Sequence, residues 1–432
     1  MSTFAVFKDI KSIFMSSVGN ILEWYEYTLY AYFAVTIGEL FFPNNNSHSS
    51  IMMTYATFAL GLAARPIGGL IFGYLGDRYS RKNVLVVTIL LMSVPTFCMG
   101  ILPTYSQIGI VAPICLIILR VAQGLALGGG FGSSCVYLYE SVPKHKRGFY
   151  GCMALTGVGT GLVLSASTIL IIEAVVSQEA MHAYAWRIPF LIISVIGAII
   201  GFRMRKVLVE SKDFALLKQG KSKLVSNPFV EMIKNHKMTL LRLFAIFITT
   251  QKSFFVVFIF GKSLMINFLG YSRAKASLLI LITLVTYTLG TIVFGYLSDK
   301  VNKRYLIILG SLGMFFTSYP FINSLKNGSP AMILLLIAMG ALIAMTEATL
   351  NPITAESFPT NIRNTSVAFC WNTTAVTFGS IAPLLAMFLI GRYGDVIVVA
   401  YYLMAVSLLT TIVTACYFIP YNFGNPSSNN EM

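Results

Sequence analysis

The chain is built around apolar runs of a length that only a bilayer accommodates. Stretches of roughly 20 residues, enough for a helix to cross hydrocarbon, recur about a dozen times along its 432 residues. They are expected near 16–42, 51–76, 83–103, 109–139, 149–175, 187–207, 238–268, 274–297, 304–323, 331–355, 364–390 and 395–420. Charged residues are 11% of the chain against 56% hydrophobic, which excludes a water-soluble globular domain.

Two short passages repeat across the middle of the chain. Gly73 to Lys82 returns as Gly295 to Arg304, 222 residues on. Glu140-Ser141-Val142-Pro143, ending in Arg147, returns as Glu356-Ser357-Phe358-Pro359, ending in Arg363, 216 residues on. Both lie between apolar runs, so the duplicated unit is a membrane bundle, and a two-fold membrane bundle points to a transporter. The expected fold is an all-α membrane protein with twelve transmembrane helices in two pseudo-symmetric six-helix bundles, 1–205 and 238–420. A Lys-rich cytoplasmic linker at 206–237 joins them, and a disordered cytoplasmic tail follows at 421–432. The linker reads as a plain connection with short amphipathic helices at an anionic lipid surface, or as a regulatory segment.

The net charge of +15 suggests nucleic acid until the cations are placed. With the N-terminus inside, interior segments hold about 22 of the 31 Lys and Arg, exterior segments about 5 and the membrane about 4, which is the positive-inside asymmetry. Both termini are then cytoplasmic, no nucleic-acid partner is expected, and a multi-pass bacterial inner-membrane protein is. The six cysteines fall inside apolar runs without metal-ligand spacing. No Gly-rich phosphate loop with Lys and Ser or Thr occurs. No metal, cofactor or ATP hydrolysis is therefore expected, and no enzymatic constellation stands out. Met1 to Lys11 is short and polar and does not read as a cleavable signal.

Gly73 to Lys82 resembles the loop between the second and third helices of the major facilitator superfamily, with Ser80 where that family usually has Gly. Gly19 to Tyr27, Arg65 to Gly69, Arg120 to Gly124 and Glu140 to Gly148 resemble its metabolite:proton symporter branch, whose members carry citrate, dicarboxylates, shikimate, proline or betaine. The resemblance spans the chain and implies proton-coupled secondary transport with alternating access. Two positions depart from it. Gly128-Gly129-Gly130 stands where the branch usually has Gly-Gly-Glu, so an intramembrane acid is missing, and Glu26 stands where Asp is usual.

Charged side chains at membrane depth are costly and mark cavities or ion pathways. Arg65 lies twelve residues before Asp77, roughly 18 Å into the bilayer at about 1.5 Å per residue. It is expected to contact substrate or to pair with a first-helix glutamate. Glu23 and Glu26 share one helix face; two such carboxylates resist double ionisation, so the pair can carry a proton or neutralise Arg65 or Arg120. The resemblance suggests that Arg120 pairs with Glu26. In the second half, Gln251 and Lys252 lie near mid-membrane, and Lys252 opposite Arg65 would make a two-cation anion site. Glu347 would neutralise Lys252 or receive a proton, and Lys262 reads as a snorkelling residue. Tyr27, Tyr30, Trp371 and Asn372 are candidate cavity lining, although most aromatics here are packing or interfacial anchors.

The repeated loops are candidate gates: Asp77, Arg78, Arg81, Glu140 and Arg147 in the first half, Asp299, Glu356 and Arg363 in the second. Asp77, at a helix C-terminus, needs a positive partner, which the start of the eleventh helix just after Arg363 would supply; by symmetry Asp299 meets the start of the fifth helix near Arg147. The bland reading is that these loops are folding signals.

The expected function is import of a small carboxylate-bearing metabolite, an organic acid, amino acid or betaine-like zwitterion, by proton symport. Partners are then an anionic or zwitterionic small molecule, protons and membrane lipids, with the protein a monomer. Alternatives are a larger polycarboxylate such as a siderophore, an exporter, or an uncoupled facilitator.

Overall fold

The computed structural model describes residues 3–44, 47–221 and 225–417, so the tail expected at 421–432 and Lys223 of the linker lie outside the described residues. Every regular element among them is helical. Twelve long helices follow in chain order: α1 (Thr3–Tyr32), α2 (Ser47–Arg78), α3 (Arg81–Ile101), α4 (Val111–Glu140), α5 (Lys144–Ile172), α6 (Arg187–Val207), α7 (Lys237–Phe268), α8 (Arg273–Leu297), α9 (Lys303–Asn327), α10 (Ala331–Glu356), α11 (Arg363–Tyr393) and α12 (Val398–Tyr417). Eleven of them are long and apolar enough to cross a membrane; α1, which carries Lys11, Glu23 and Glu26, is the one that falls short. The first expected span, 16–42, is divided at Phe33, after which a separate short helix runs Ala34–Phe41.

Helix boundaries follow side-chain chemistry. Ser80 accepts from the Asn83 N–H at 3.0 Å and starts α3, Ser272 caps α8, and Asn302 accepts from the Arg304 N–H to start α9. Gly328 and Gly394 end α9 and α11 in the left-handed conformation, with φ of 62° and 71°.

The chain forms two compact units that do not follow the halves of the sequence. The first comprises 1–142, 154–235 and 358–376; the second comprises 143–153, 236–357 and 377–432. Each takes in the beginning of one helix from the opposite half: α11 starts in the first unit, and α5 starts in the second.

In the first unit, α2 packs against α4 and α11 through positions where no side chain fits. A Cβ on Gly124 or Gly128 would strike the carbonyl of Gly61 or Arg65, and one on Gly73 would stand 2.7 Å from the Thr365 Cα. Backbones in van der Waals contact are how membrane helices associate without a hydrophobic driving force between them. In the second unit α8 and α10 approach similarly at Gly340, whose Cβ would meet the Thr283 carbonyl at 2.7 Å. Replacing Gly128 with Val should force α2 from α4 and cost about 1–3 kcal/mol or more through overpacking. Thermal unfolding of detergent-purified protein should move down by several degrees, whereas Gly391→Ala, with nothing within 4 Å of the added Cβ, should leave it unchanged.

Candidate functional site

At the loop-bearing end of the first unit, Asp77 closes α2 and caps α11. Its carboxylate accepts the N–H groups of Asn364 at 3.0 Å and Thr365 at 2.8 Å, and the Thr365 hydroxyl at 2.7 Å. The start of a helix exposes unpaired N–H donors and positive dipole charge, so a carboxylate there is doubly favoured. Arg81 stands between Asp77 (Nη2–Oδ1 3.0 Å) and Glu140 (Nε–Oε2 3.3 Å), and donates to the carbonyls of Gly76 and Thr360. Glu140 in turn receives Arg363 at 2.8 Å and the Ser211 hydroxyl at 2.6 Å. The structure thus brings Asp77, Arg81, Glu140 and Arg363 into one buried cluster. Arg78 stays outside it, exposed and bonded to the Tyr74 hydroxyl.

The second unit repeats the capping bond. Asp299 accepts the N–H groups of Gly148 at 2.6 Å and Phe149 at 2.9 Å, directly after Arg147. Lys303 stands 222 residues after Arg81 and reaches Glu356 at 2.7 Å, repeating the Arg81–Glu140 pair. Glu356 nevertheless remains half-exposed where Glu140 is fully buried. The arginine fork satisfies four acceptors at once, whereas the lysine ammonium makes a point contact.

Part of the linker packs on this cluster. The Phe214 ring is fully buried with the Arg81 guanidinium 4.1 Å above its centroid. Glu210 accepts the Arg81 and Lys82 N–H groups at the start of α3, Asp213 lies 3.3 Å from Arg363, and Lys218 donates to the Tyr79 carbonyl. Acids and one aromatic within a basic segment dock it onto the cluster, a signal outweighed in the sequence by the surrounding charge.

Deeper in the first unit, Arg65 and Glu23 stand near each other, both almost fully buried. They sense each other's charge but are not ion-paired. Asn372 of α11 orients Arg65: its Oδ1 accepts from Arg65 Nε at 3.1 Å while its Nδ2 donates to the Gly128 carbonyl at 2.7 Å. Arg65 Nη1 and Glu23 Oε2 have no hydrogen-bond partner among the described residues. A Cβ at Gly130 would collide with Glu23 Oε1, so the Glu23 carboxyl fills the space beside the position where the branch usually has its acid. Around this pair lie the Trp24 ring, 5.6 Å beneath the Arg65 guanidinium, and Phe131, edge-on to both Trp24 and Trp371.

Arg120 does not pair directly with Glu26. Its guanidinium sits among aromatic faces, 4.0 Å from the Tyr30 centroid and 5.3 Å from those of Tyr27 and Phe58. Three hydrogen bonds connect the two charges: Arg120 Nη1 to Gln123 Oε1 (2.7 Å), Gln123 Nε2 to Thr96 Oγ1 (2.6 Å), and Thr96 Oγ1 to Glu26 Oε2 (2.6 Å). Helices α4 and α1 hold the charged ends too far apart for contact, so neutral side chains of α4 and α3 fill the interval. Gln123 was legible as one turn from Arg120; Thr96 offered no sequence signal.

In the second unit Glu347 accepts the Tyr287 hydroxyl at 2.5 Å and makes no ion pair with Lys252. Gln251 is buried, and Lys252 is half-buried with its ammonium 5.3 Å from the Tyr402 centroid.

Residues 12–226 match the family model for sugar (and other) transporters and 243–431 that of the Major Facilitator Superfamily. The chain belongs to the major facilitator superfamily; it is a multi-pass transporter of small solutes and not an enzyme. It is 32% identical to a proline/betaine transporter of Salmonella typhimurium over 93% of this chain and 82% of that one. It is 31% identical to a glycine betaine/proline/ectoine/pipecolic acid transporter of Dickeya dadantii, covering 92% and 81%. Among solved structures, the proton:xylose symporter XylE bound to 6-bromo-6-deoxy-D-glucose superposes with a TM-score of 0.80 at 16% identity over 95% of this chain and 96% of that one, a likeness of fold.

Arg363→Ala should leave Glu140 and Asp213 short of a buried partner and lower stability by about 3–5 kcal/mol. Arg78→Ala should change it by no more than about 0.5 kcal/mol. Chemical denaturation of the two variants in detergent measures the contrast.

Proposed function

We propose that the protein imports a small zwitterion of the proline or betaine kind by proton symport, with both termini in the cytoplasm of a bacterial cell. The observation that carries this reading is the buried Arg65 guanidinium, fixed by Asn372 with Nη1 left without a partner. A buried cationic donor with an empty hydrogen-bond position suits a carboxylate, whose binding would satisfy it. The unpartnered Glu23 oxygen and the faces of Trp24, Phe131 and Trp371 suit the cationic end of the same molecule, since aromatic faces attract ammonium groups. A site with one cation, one acid and an aromatic wall favours a zwitterion over a dianion, and the relatives' named substrates support that choice.

The proton would ride on Glu23, Glu26 or Glu347, acids that are buried without an ion-pair partner among the described residues. The caps at Asp77 and Asp299 would act as gates that break and re-form as access alternates. The transporter would work as a monomer.

In proteoliposomes with an inside-alkaline proton gradient, labelled proline or glycine betaine should accumulate, and succinate should not compete. Arg65→Ala should reduce uptake by about a hundredfold, the loss expected when a charged hydrogen bond of roughly 3 kcal/mol disappears. Unchanged uptake in that variant would remove Arg65 from the site. Gly130→Ala should lower uptake as well, because the added methyl displaces the Glu23 carboxyl. The loss should be in apparent affinity and pH response, with melting temperature retained.

A further inference from the structure

The chain from Glu26 to Arg120 has one member with a choice of partner. The Thr96 hydroxyl lies 2.6 Å from Glu26 Oε2 and 2.9 Å from the Met92 carbonyl, so its single proton can serve either acceptor. Its oxygen meanwhile accepts from Gln123 Nε2. Thr96, Gln123, Glu26 and Arg120 are each 0–1% exposed, so water does not compete for these bonds.

We propose that Thr96 and Gln123 are positioning residues that let a proton on Glu26 control how much the Arg120 charge adds to the pull of Arg65 on the substrate carboxylate. This rests on the proton-symport reading above. With Glu26 ionised, Thr96 donates to the carboxylate, accepts from Gln123, and the Gln123 carbonyl accepts from Arg120, so the negative charge is relayed to the guanidinium. When a proton arrives on Glu26 Oε2, the new O–H donates to Thr96 Oγ1, and Thr96 turns its own proton to the Met92 carbonyl. The oxygen then accepts from both Glu26 and Gln123 on its two lone pairs. Thr96, Gln123 and Glu26 Oε2 keep hydrogen-bond partners in either state, and no helix has to move for the proton to bind.

What changes is the charge behind Arg120. Among the described residues no carboxylate lies within ion-pair distance of Arg120, and its Nε and Nη2 have no partner. Neutralising Glu26 removes the one negative charge joined to it by hydrogen bonds and leaves its positive charge, which like that of Arg65 acts on Tyr27, freer to attract an anion held at Arg65. The proton therefore loads first and the carboxylate second.

Glu23 and Tyr25 feel the Glu26 charge, but among the described residues no charged or titratable side chain hydrogen-bonds to it. Glu23 and Tyr25 belong to its own helix, and Arg65 of α2 acts on Glu23. The short helix Ala34–Phe41 carries Glu39, which pairs with His182. Towards Glu26, α3 presents Thr96 and α6 presents Gly197, both uncharged.

The test compares wild type with Thr96→Val, Thr96→Ser and Gln123→Met in proteoliposomes, using labelled proline and glycine betaine. Gradient-driven accumulation and gradient-free counterflow are measured across pH, together with melting temperature. Thr96→Val and Gln123→Met should lose about tenfold in accumulation, within the usual range of coupled sites, and lose the pH dependence of apparent affinity, while counterflow and melting temperature stay near wild type. Thr96→Ser, which keeps the hydroxyl, should restore both. Valine and methionine variants that keep wild-type accumulation and pH profile overturn the proposal. So does a parallel fall in accumulation and counterflow, which marks a purely structural role. A wild type indifferent to the proton gradient overturns the symport reading itself and is visible before any variant is made.

Discussion

The close approach of α2 to α4 and α11 is the condition on which the site rests. Because no side chains intervene at Gly73, Gly124 and Gly128, three backbones lie in contact, and the polar groups on them come within bonding reach. Asp77 can cap α11 only because Gly73 admits Thr365. Arg65 can remain buried only because Asn372, on the same stretch of α11, reaches both its guanidinium and the Gly128 carbonyl. The packing contributes little specificity by itself; it sets the distances at which hydrogen bonds supply it.

The architecture was legible because membrane helices announce themselves by length and because the duplication is preserved in its loops. Arg65 lies twelve residues before Asp77, deep in an apolar run, and Asp77 and Asp299 occupy equivalent places in the repeat, each accepting N–H groups at the start of a helix. Three features were not legible. Thr96 looks like any helical threonine bonded to its own backbone, as Thr54 and Thr57 are, and its second role depends on a neighbouring helix. Phe214 is one of two aromatics in a charged segment, and only the geometry of Arg81 gives it meaning. Glu356 repeats Glu140 in sequence, yet the change from arginine to lysine at its partner leaves it half-exposed.

Gly130 stands in α4 where the branch usually carries an acid, and the Glu23 carboxyl of α1 lies against that position. A carboxyl is described better by the volume it occupies than by the helix that bears it. The same holds for Arg120 and Glu26, which interact through two neutral side chains without touching.

The allocation of α5 and α11 to compact units has a consequence for building the protein in pieces. A fragment ending at the linker would contain the six helices of the first half but lack 358–376, the stretch that Asp77 caps and that seats on the glycines of α2 and α4. The complementary fragment would lack 143–153, which Asp299 caps. Two co-expressed halves would therefore have to trade helix beginnings, each completing the other, before either could mature. Dividing the gene at its most polar segment separates the sequence repeats and breaks both structural units.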